Sequence, residues 1–549
     1  MKLWKKILAI GLGASLVIGV AGCGADGGTQ GSTDAAESQS VAEEAEAPKE
    51  AGTDTATDTA ADTGTDAADP FGKYEETIDL HFVRRMDETI DKLIEDRPSL
   101  SMEDNFWLDT YRDELGINVV YDWIVKGYDE YIQKINVTIA NGELPDVLVV
   151  NKTQVKQLQE ADLITDMTDI YEQYAADYTK EVMHQEGDIS FLPSTIDGRL
   201  YGIPVTYGAV DNVDVMWIRR DWLEKLNLEA PKTVDEMMNV IDQFTNNDPD
   251  GNGVNDTYGI GIAGSPNLFN GNYGSMKGFF DAYNAHPTIW YEKDGQLVYG
   301  GIQDECKDAL LALNEMYQKG YINPEFGVMD SGKAGEATAA GKCGMTFGPQ
   351  WLSQTEMLTN YKSDPEAMWC AYPLPSLDGQ TSMASAAAGT NDFIVVSKEC
   401  ANPEAVVKMA NLFIEKCWGE TGDNEYYYAP ADAEGIWKMS PSMPQMPLKN
   451  LQGYRDIVEA EKNGTTDQLN GESRSIYNKI EQFRAGGEGS AELYGWERGY
   501  GPDCSAYSAI DEMQVANRVL VDGFAGAPGE AMTEKMSVSA SAPRAFSLL

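Results

Sequence analysis

The chain has 549 residues, 42% of them hydrophobic, with 41 Lys+Arg against 89 Asp+Glu and a formal net charge of -48. That length supports more than one cored lobe, and so acidic a surface repels phosphate backbones, which excludes nucleic acid as a partner. Three histidines, His81, His184 and His286, are too few and too scattered for a histidine-rich metal centre.

Residues 1–22 read as a signal peptide. Lys2, Lys5 and Lys6 precede an apolar run from Ile7 to Val20, shorter than the roughly 20 residues a spanning helix needs. In Val20-Ala21-Gly22-Cys23 a cysteine follows two small residues, as in a bacterial lipobox, so Cys23 is the expected lipidation site. Residues 23–70 are expected to be the lipidated cysteine and a disordered acidic linker. From Gly24 to Pro70 twelve acids face one base, Lys49, with no aromatic residue and no periodicity. Such a segment cannot bury enough surface to offset its chain entropy. Beyond Cys23 there are Cys306, Cys343, Cys370, Cys400, Cys417 and Cys504, with no CxxC pair. Outside the cell they permit disulfides, but their spacing assigns no pairing.

The body alternates strand and helix patterns. Thr77 to Val83 is β-rich, Asn105 to Leu115 has helical spacing, and Ile117 to Ile124 is a second strand. Asp129 to Ala140 reads as a helix that stops at Asn141-Gly142. Asp146 to Val150 is apolar throughout, as a buried parallel strand requires. Gly198 to Pro204 has hairpin character, Val213 to Ile218 is a strand, and Asp221 to Leu226 a short helix. Pro231-Lys232-Thr233 caps a helix from Val234 to Phe244. The alternation predicts an α/β protein with right-handed crossovers.

Several fragments carry a resemblance, in one order along the chain: Asn141-Gly142-Glu143-Leu144-Pro145-Asp146, Leu200-Tyr201-Gly202-Ile203-Pro204, Met216 to Leu223, Pro231 to Glu236, Gly341 to Met345 with Gly348-Pro349-Gln350-Trp351, Tyr372-Pro373-Leu374-Pro375 and Asn402-Pro403-Glu404-Ala405. Together they resemble the extracellular solute-binding proteins (family 1) of bacterial ABC sugar importers, in their long-chain lipoprotein branch. The resemblance implies a two-lobed, periplasmic-binding-protein-like (type II) α/β fold with hinge segments. Lobe one would take residues 74–207 and 391–451, and lobe two residues 211–389 and 452–549. Ala527 to Lys535 is similar to the start of the family's last region, but the chain then runs Ser537 to Pro543 and stops, so a truncated or frame-shifted end is expected.

Asp248-Pro249-Asp250-Gly251-Asn252-Gly253-Val254-Asn255-Asp256 matches a calcium loop. Side-chain oxygens stand at positions 1, 3, 5 and 9, glycine at 6, and the Val254 carbonyl at 7. Position 12 is Gly259, so the bidentate Glu of an EF-hand is missing. Turn preference alone also accounts for such a composition, but acids at this spacing repel one another without a cation, so a structural calcium is expected. Gly259 to Gly264 fits GxGxxG but follows a loop and not a strand, which argues against a dinucleotide. No HExxH or GxSxG occurs.

Sugar rings stack their C–H faces on Trp and Tyr and need polar groups at their edges, and this chain has 11 Trp and 27 Tyr. Arg84, Arg85, Asn151, Tyr207, Asp211, Asn212, Asn270, Tyr273 and Trp351 stand where the family places ligand contacts. The expected protein is a monomeric non-enzyme on the outer face of the membrane. It holds a carbohydrate, an oligosaccharide by preference, between its lobes and delivers it to ABC permease subunits. A peptide-binding importer lipoprotein and a secreted glycosidase are the alternatives.

Overall fold

The computed structural model describes residues 68–521 apart from 295, 388, 431–434, 470 and 517–518. The expected signal peptide, Cys23, the linker as far as residue 67 and the tail from residue 522 lie outside the described residues.

The first sheet has five strands in the order Ile117–Lys126, Ile78–Met86, Val147–Asn151, Asp392–Val396 and Ile203–Pro204. The first three run parallel, and Asp392–Val396 is antiparallel to both its neighbours. Successive strand residues face opposite sides. Phe82, Val147, Ile394 and Val396 therefore join one buried cluster, and Val83, Leu148, Val150, Phe393 and Val395 another. Helix Ala405–Trp418 covers the first face; helices Tyr128–Asn141 and Lys152–Glu160 cover the second. A strand buried on both faces has no polar alternation to show, which explains the run Val147 to Val150.

Two expectations change locally. The hairpin expected at 198–204 divides: Thr195–Ile196 pairs with Arg199–Leu200, whereas Ile203–Pro204 joins the first sheet against Phe393 and Ile394. Pro204 lacks an N–H, and an edge strand is where a sheet tolerates that. The helical run near residues 105–115 is an α-helix, Phe106–Thr110, that continues as a π turn, Tyr111–Leu115.

The second core surrounds a three-stranded antiparallel sheet, Met345–Gly348, Val215–Arg219 and Trp369–Tyr372. Trp217, Trp222, Trp369 and Phe347 are buried there. Helix Val234–Asn246 packs on it, started by a capping box between Thr233 and Glu236. Leu451 belongs to this second core, so helix Lys449–Asn463 enters it whole. The lobe boundary expected at Leu451 moves back ahead of Lys449.

Among the described residues the chain crosses between the cores three times, near residues 206–212, 389–391 and 445–450, and the crossings pack on one another. Gln445 N–H donates to Thr206 O, and Thr206 Oγ1 donates to Gln445 O at 2.5 Å. A Cβ on Gly208 would lie 2.1 Å from Pro447 O, and one on Gly389 1.9 Å from Tyr207 O. Only glycine permits so close a backbone approach. A turn of the first lobe also grips the crossing: Glu186 accepts hydrogen bonds from Ala209 and Val210 N–H, and Gln185 Oε1 accepts from Leu448 N–H at 3.0 Å.

Candidate functional site

The site begins at a slip in register. Between Phe82 and Val83 the strand Ile78–Met86 shifts against its neighbour, placing Val83 opposite Trp123. The extra residue is Asp122 on the neighbouring strand, which is the one a bulge bends, and Arg84 and Arg85 directly follow the slip on Ile78–Met86. Arg84 is only 6% exposed, and its Nη2 donates to Lys438 O at 2.7 Å and Ser440 O at 3.0 Å. It thereby ties the irregular segment around Trp437 to the sheet. The Arg85 guanidinium lies 5.1 Å from the ring centroid of Tyr128, a cation–π contact.

Two strands further on, Asn151 and Asp392 stand opposite each other in register. Asn151 is half committed, since its Oδ1 caps helix Lys152–Glu160 through Gln154 N–H at 3.0 Å. The Asp392 carboxylate has no hydrogen bond or ion pair among the described residues; burial pushes its pKa up against the pull of Arg85 and Arg84. Burial also works against Asp87, but there Lys438 Nζ at 2.7 Å and Ile90 N–H at 3.0 Å outweigh it and hold the carboxyl below its usual range. With Tyr131, Tyr207, Trp437 and Met443 these groups enclose a cavity of about 240 Å³ at the C-terminal ends of the parallel strands. Rings offer apolar faces and the arginines and Asp392 offer donors and acceptors, the combination that orients a polyol.

The structure brings Arg84, Arg85, Asn151 and Tyr207 together in this cavity and places the other candidates elsewhere. Tyr273 is fully buried in the second core with its hydroxyl bonded to Thr338, so it has no surface for a ligand. Asp211 is consumed by Asn450 Nδ2 at 2.8 Å and Tyr507 OH at 2.9 Å, and serves the crossing. Asn212 Nδ2 donates to Gly208 O, and its own carbonyl accepts from Lys277. Asn270 Oδ1 accepts from Asn272 N–H within its loop. Trp351 is half-buried against the second core. Sequence reasoning missed Tyr128, Tyr131, Asp392, Trp437 and Lys438. The position of Asp392 directly after the Gly389 crossing was a usable signal, because Tyr207 holds the matching place at the first crossing. Trp437 and Lys438 sit in a single 3-10 turn, Ile436–Met439, too short to leave a pattern to read.

The loop Asp248–Asp256 is folded inward on its own donors. Asp248 Oδ2 accepts from Gly253 N–H at 3.0 Å, Asn252 Nδ2 donates to Asp250 and Asp256, and Lys342 Nζ pairs with Asp256 and reaches within 4.0 Å of Asp250. As placed, no three His, Cys, Asp or Glu among the described residues form a metal-holding group. The expected ion position is met instead by an ammonium and an amide. Asp248 Oδ1 is nevertheless buried without a partner.

Among known proteins, the pattern of the bacterial extracellular solute-binding protein family matches residues 86–416. The polygalacturonan/rhamnogalacturonan-binding protein YtcQ of Bacillus subtilis is 30% identical over 230 residues, 41% of this chain and 43% of that protein. The fructooligosaccharide ABC transporter substrate-binding protein FusA of Streptococcus pneumoniae is 26% identical over 225 residues, 39% of this chain and 40% of that protein. The chain thus matches under half the length of either relative. A solute-binding protein associated with an HMO-binding ABC transporter, from Bifidobacterium longum infantis, superposes with a TM-score of 0.52 at 18% identity, covering 84% of this chain and 98% of that one. That likeness concerns the fold, and it agrees with the two cores and three crossings described above. With the family pattern spanning well over half of the chain, this protein belongs to the bacterial extracellular solute-binding proteins.

Proposed function

We propose that this protein captures an oligosaccharide in the cavity between Arg85, Asp392, Tyr207 and Trp437 and hands it to an ABC importer, held at the outer membrane face by lipid on Cys23. The observation that carries the reading is the cavity itself: unpaired polar side chains beside exposed rings, next to the crossings Tyr207–Gly208 and Gly389–Asp392. A ligand seated there and touched by the second lobe biases a closed form, as differential affinity for two states requires. The named relatives support a carbohydrate and leave its charge open. Thermal-shift screening against neutral and acidic oligosaccharides and peptides is expected to show stabilisation by sugars alone. X-ray scattering with the best sugar is expected to show a smaller radius of gyration, and an unchanged envelope sinks the proposal. A glycosidase reading has one observation in its favour, since Asp392 and Asp87 are pushed apart in pKa as an acid and its partner would be. Asp87, however, is held by Lys438 and a helix N-terminus. Prolonged incubation with the bound sugar is expected to leave it uncut.

The loop Asp248–Asp256 is the second part of the proposal, as a structural calcium site. The orphaned Asp248 Oδ1 and the raised pKa of Asp250, which burial and the neighbouring Asp248 produce, fit a cation. Asp248, Asp250, Asn252, Asp256 and the Val254 carbonyl would hold it, with Asn252 turned and Lys342 displaced. About 1 mM calcium, within reach of extracellular modules, is expected to raise the melting temperature by a few degrees. Asp250→Asn is expected to remove that gain while leaving the calcium-free melting temperature unchanged.

A further inference from the structure

We infer that the cavity is built for an acidic oligosaccharide, a uronic acid whose carboxylate meets the Arg85 guanidinium; this rests on the carbohydrate reading above and deepens it. Five charged residues line the cavity: Arg84, Arg85 and Lys438 against Asp87 and Asp392. Lys438 and Asp87 neutralise one another at 2.7 Å. Two guanidiniums then face one carboxylate, an excess of one positive charge in a chain whose net charge is -48.

The two arginines contribute differently. Arg84 is buried and its Nη2 is spent on the carbonyls of Lys438 and Ser440, so it supplies charge from behind the wall and not contact. Neither arginine has an ion pair among the described residues. A buried cation without a counter-ion is costly, and a ligand anion in the cavity offsets that cost. Arg85 is only half-buried, and the Tyr128 ring is its recorded contact. A guanidinium braced on a ring keeps its N–H fork for a planar group, and carboxylate matches that fork with two parallel hydrogen bonds. A neutral sugar uses hydroxyls on both members of an Arg–Asp pair and has no use for the surplus charge. A sulfate ester shares the anionic chemistry but not the planarity, so the carboxylate is favoured.

The test is calorimetric titration of the protein at neutral pH with galacturonate and glucuronate trimers, their methyl esters (same rings and linkages, no charge) and a sulfated galactose trimer. At least one acidic trimer is expected to bind about tenfold or more tighter than its ester, the scale of a charge-assisted hydrogen bond. Arg85→Gln is expected to weaken the acid about tenfold more than the ester and so erase that ratio, and Arg85→Lys to keep part of it, since charge survives while the fork is lost. Esters binding as well as acids, a sulfated trimer matching the best uronate, or Arg85→Gln weakening acid and ester alike would each overturn the inference. Binding of neutral oligosaccharides only would overturn it and leave the carbohydrate reading standing. If no sugar of either kind binds, both fall together.

Discussion

Replacing Cys504 by serine is expected to lower the melting temperature by on the order of 10 °C, and reductant is expected to do the same to the unaltered protein. Cys370 and Cys504 are joined by a disulfide that closes a sequence separation of 134 residues. Cross-linking so long a loop removes roughly 5 kcal/mol of freedom from the unfolded chain in the entropic picture, and one kcal/mol moves the midpoint of a lobe this size by about 2–4 °C. The bond matters because of what it fastens. Cys370 lies in the central sheet of the second core, and Cys504 directly precedes helix Ala506–Val515, which packs back on that sheet through Ala506, Tyr507, Ile510 and Met513. Ala371 N–H also donates to Cys504 O at 3.0 Å, and Trp369 N–H to Tyr494 OH at 2.9 Å. The other four described cysteines, Cys306, Cys343, Cys400 and Cys417, are buried and free. Differential scanning calorimetry of Cys504→Ser, with Cys417→Ser as a control for simple thiol loss, reads the effect. Equal midpoints with and without reductant would mean that the staple does not form.

The sequence shows this pair poorly because a disulfide is fixed by where two distant Cβ atoms end up, and spacing carries no such information. The alternating elements were legible for the opposite reason. Val147 to Val150 and the stop at Gly142 follow from local burial and backbone preference, and the structure places a buried strand and a left-handed cap there. The ligand candidates divide along the same line. Arg84, Arg85 and Asn151 end parallel strands, and an α/β sheet of this kind gathers such residues at one edge. Tyr273 carries no local mark distinguishing a core ring from a cleft ring; only its burial behind Thr338 decides. The calcium motif was legible as a spacing, whereas Lys342, 86 residues beyond Asp256 in sequence, enters the loop only through the fold.

The body is expected to be most stable in mild acid, with its melting temperature rising as pH falls from about 8 towards about 5 and dropping again below about 4. Burial raises the pKa of Glu186, Asp211, Asp214 and Asp392. For a carboxyl raised on folding, the folded state holds the proton more tightly than the unfolded chain. Its contribution is fully present below the unfolded pKa near 4 and is lost as pH climbs through the folded value. Asp87 and Asp166 run the other way. Hydrogen bonds from Lys438 and Ile90 N–H at the first, and from Thr168 and Arg199 at the second, outweigh burial and hold both pKa values down. Their contribution is intact above about 4 and vanishes as acid protonates them. Two of the raised groups sit at the crossings: Glu186 gripping Ala209 and Val210, and Asp211 between Asn450 and Tyr507. Burial is the main lift on Glu186, and Asp211 is among the charges that add to it. Asp211→Asn keeps a partner for Tyr507 and removes the charge, so it is expected to flatten the slope between pH 5 and 8 (measured by calorimetry in low-salt buffer) while Asp169→Asn on the exposed surface does not. A flat profile across that range in the unaltered protein would show that these carboxyls do not enter the folded state at a cost, and that the crossings are built on something other than buried acids.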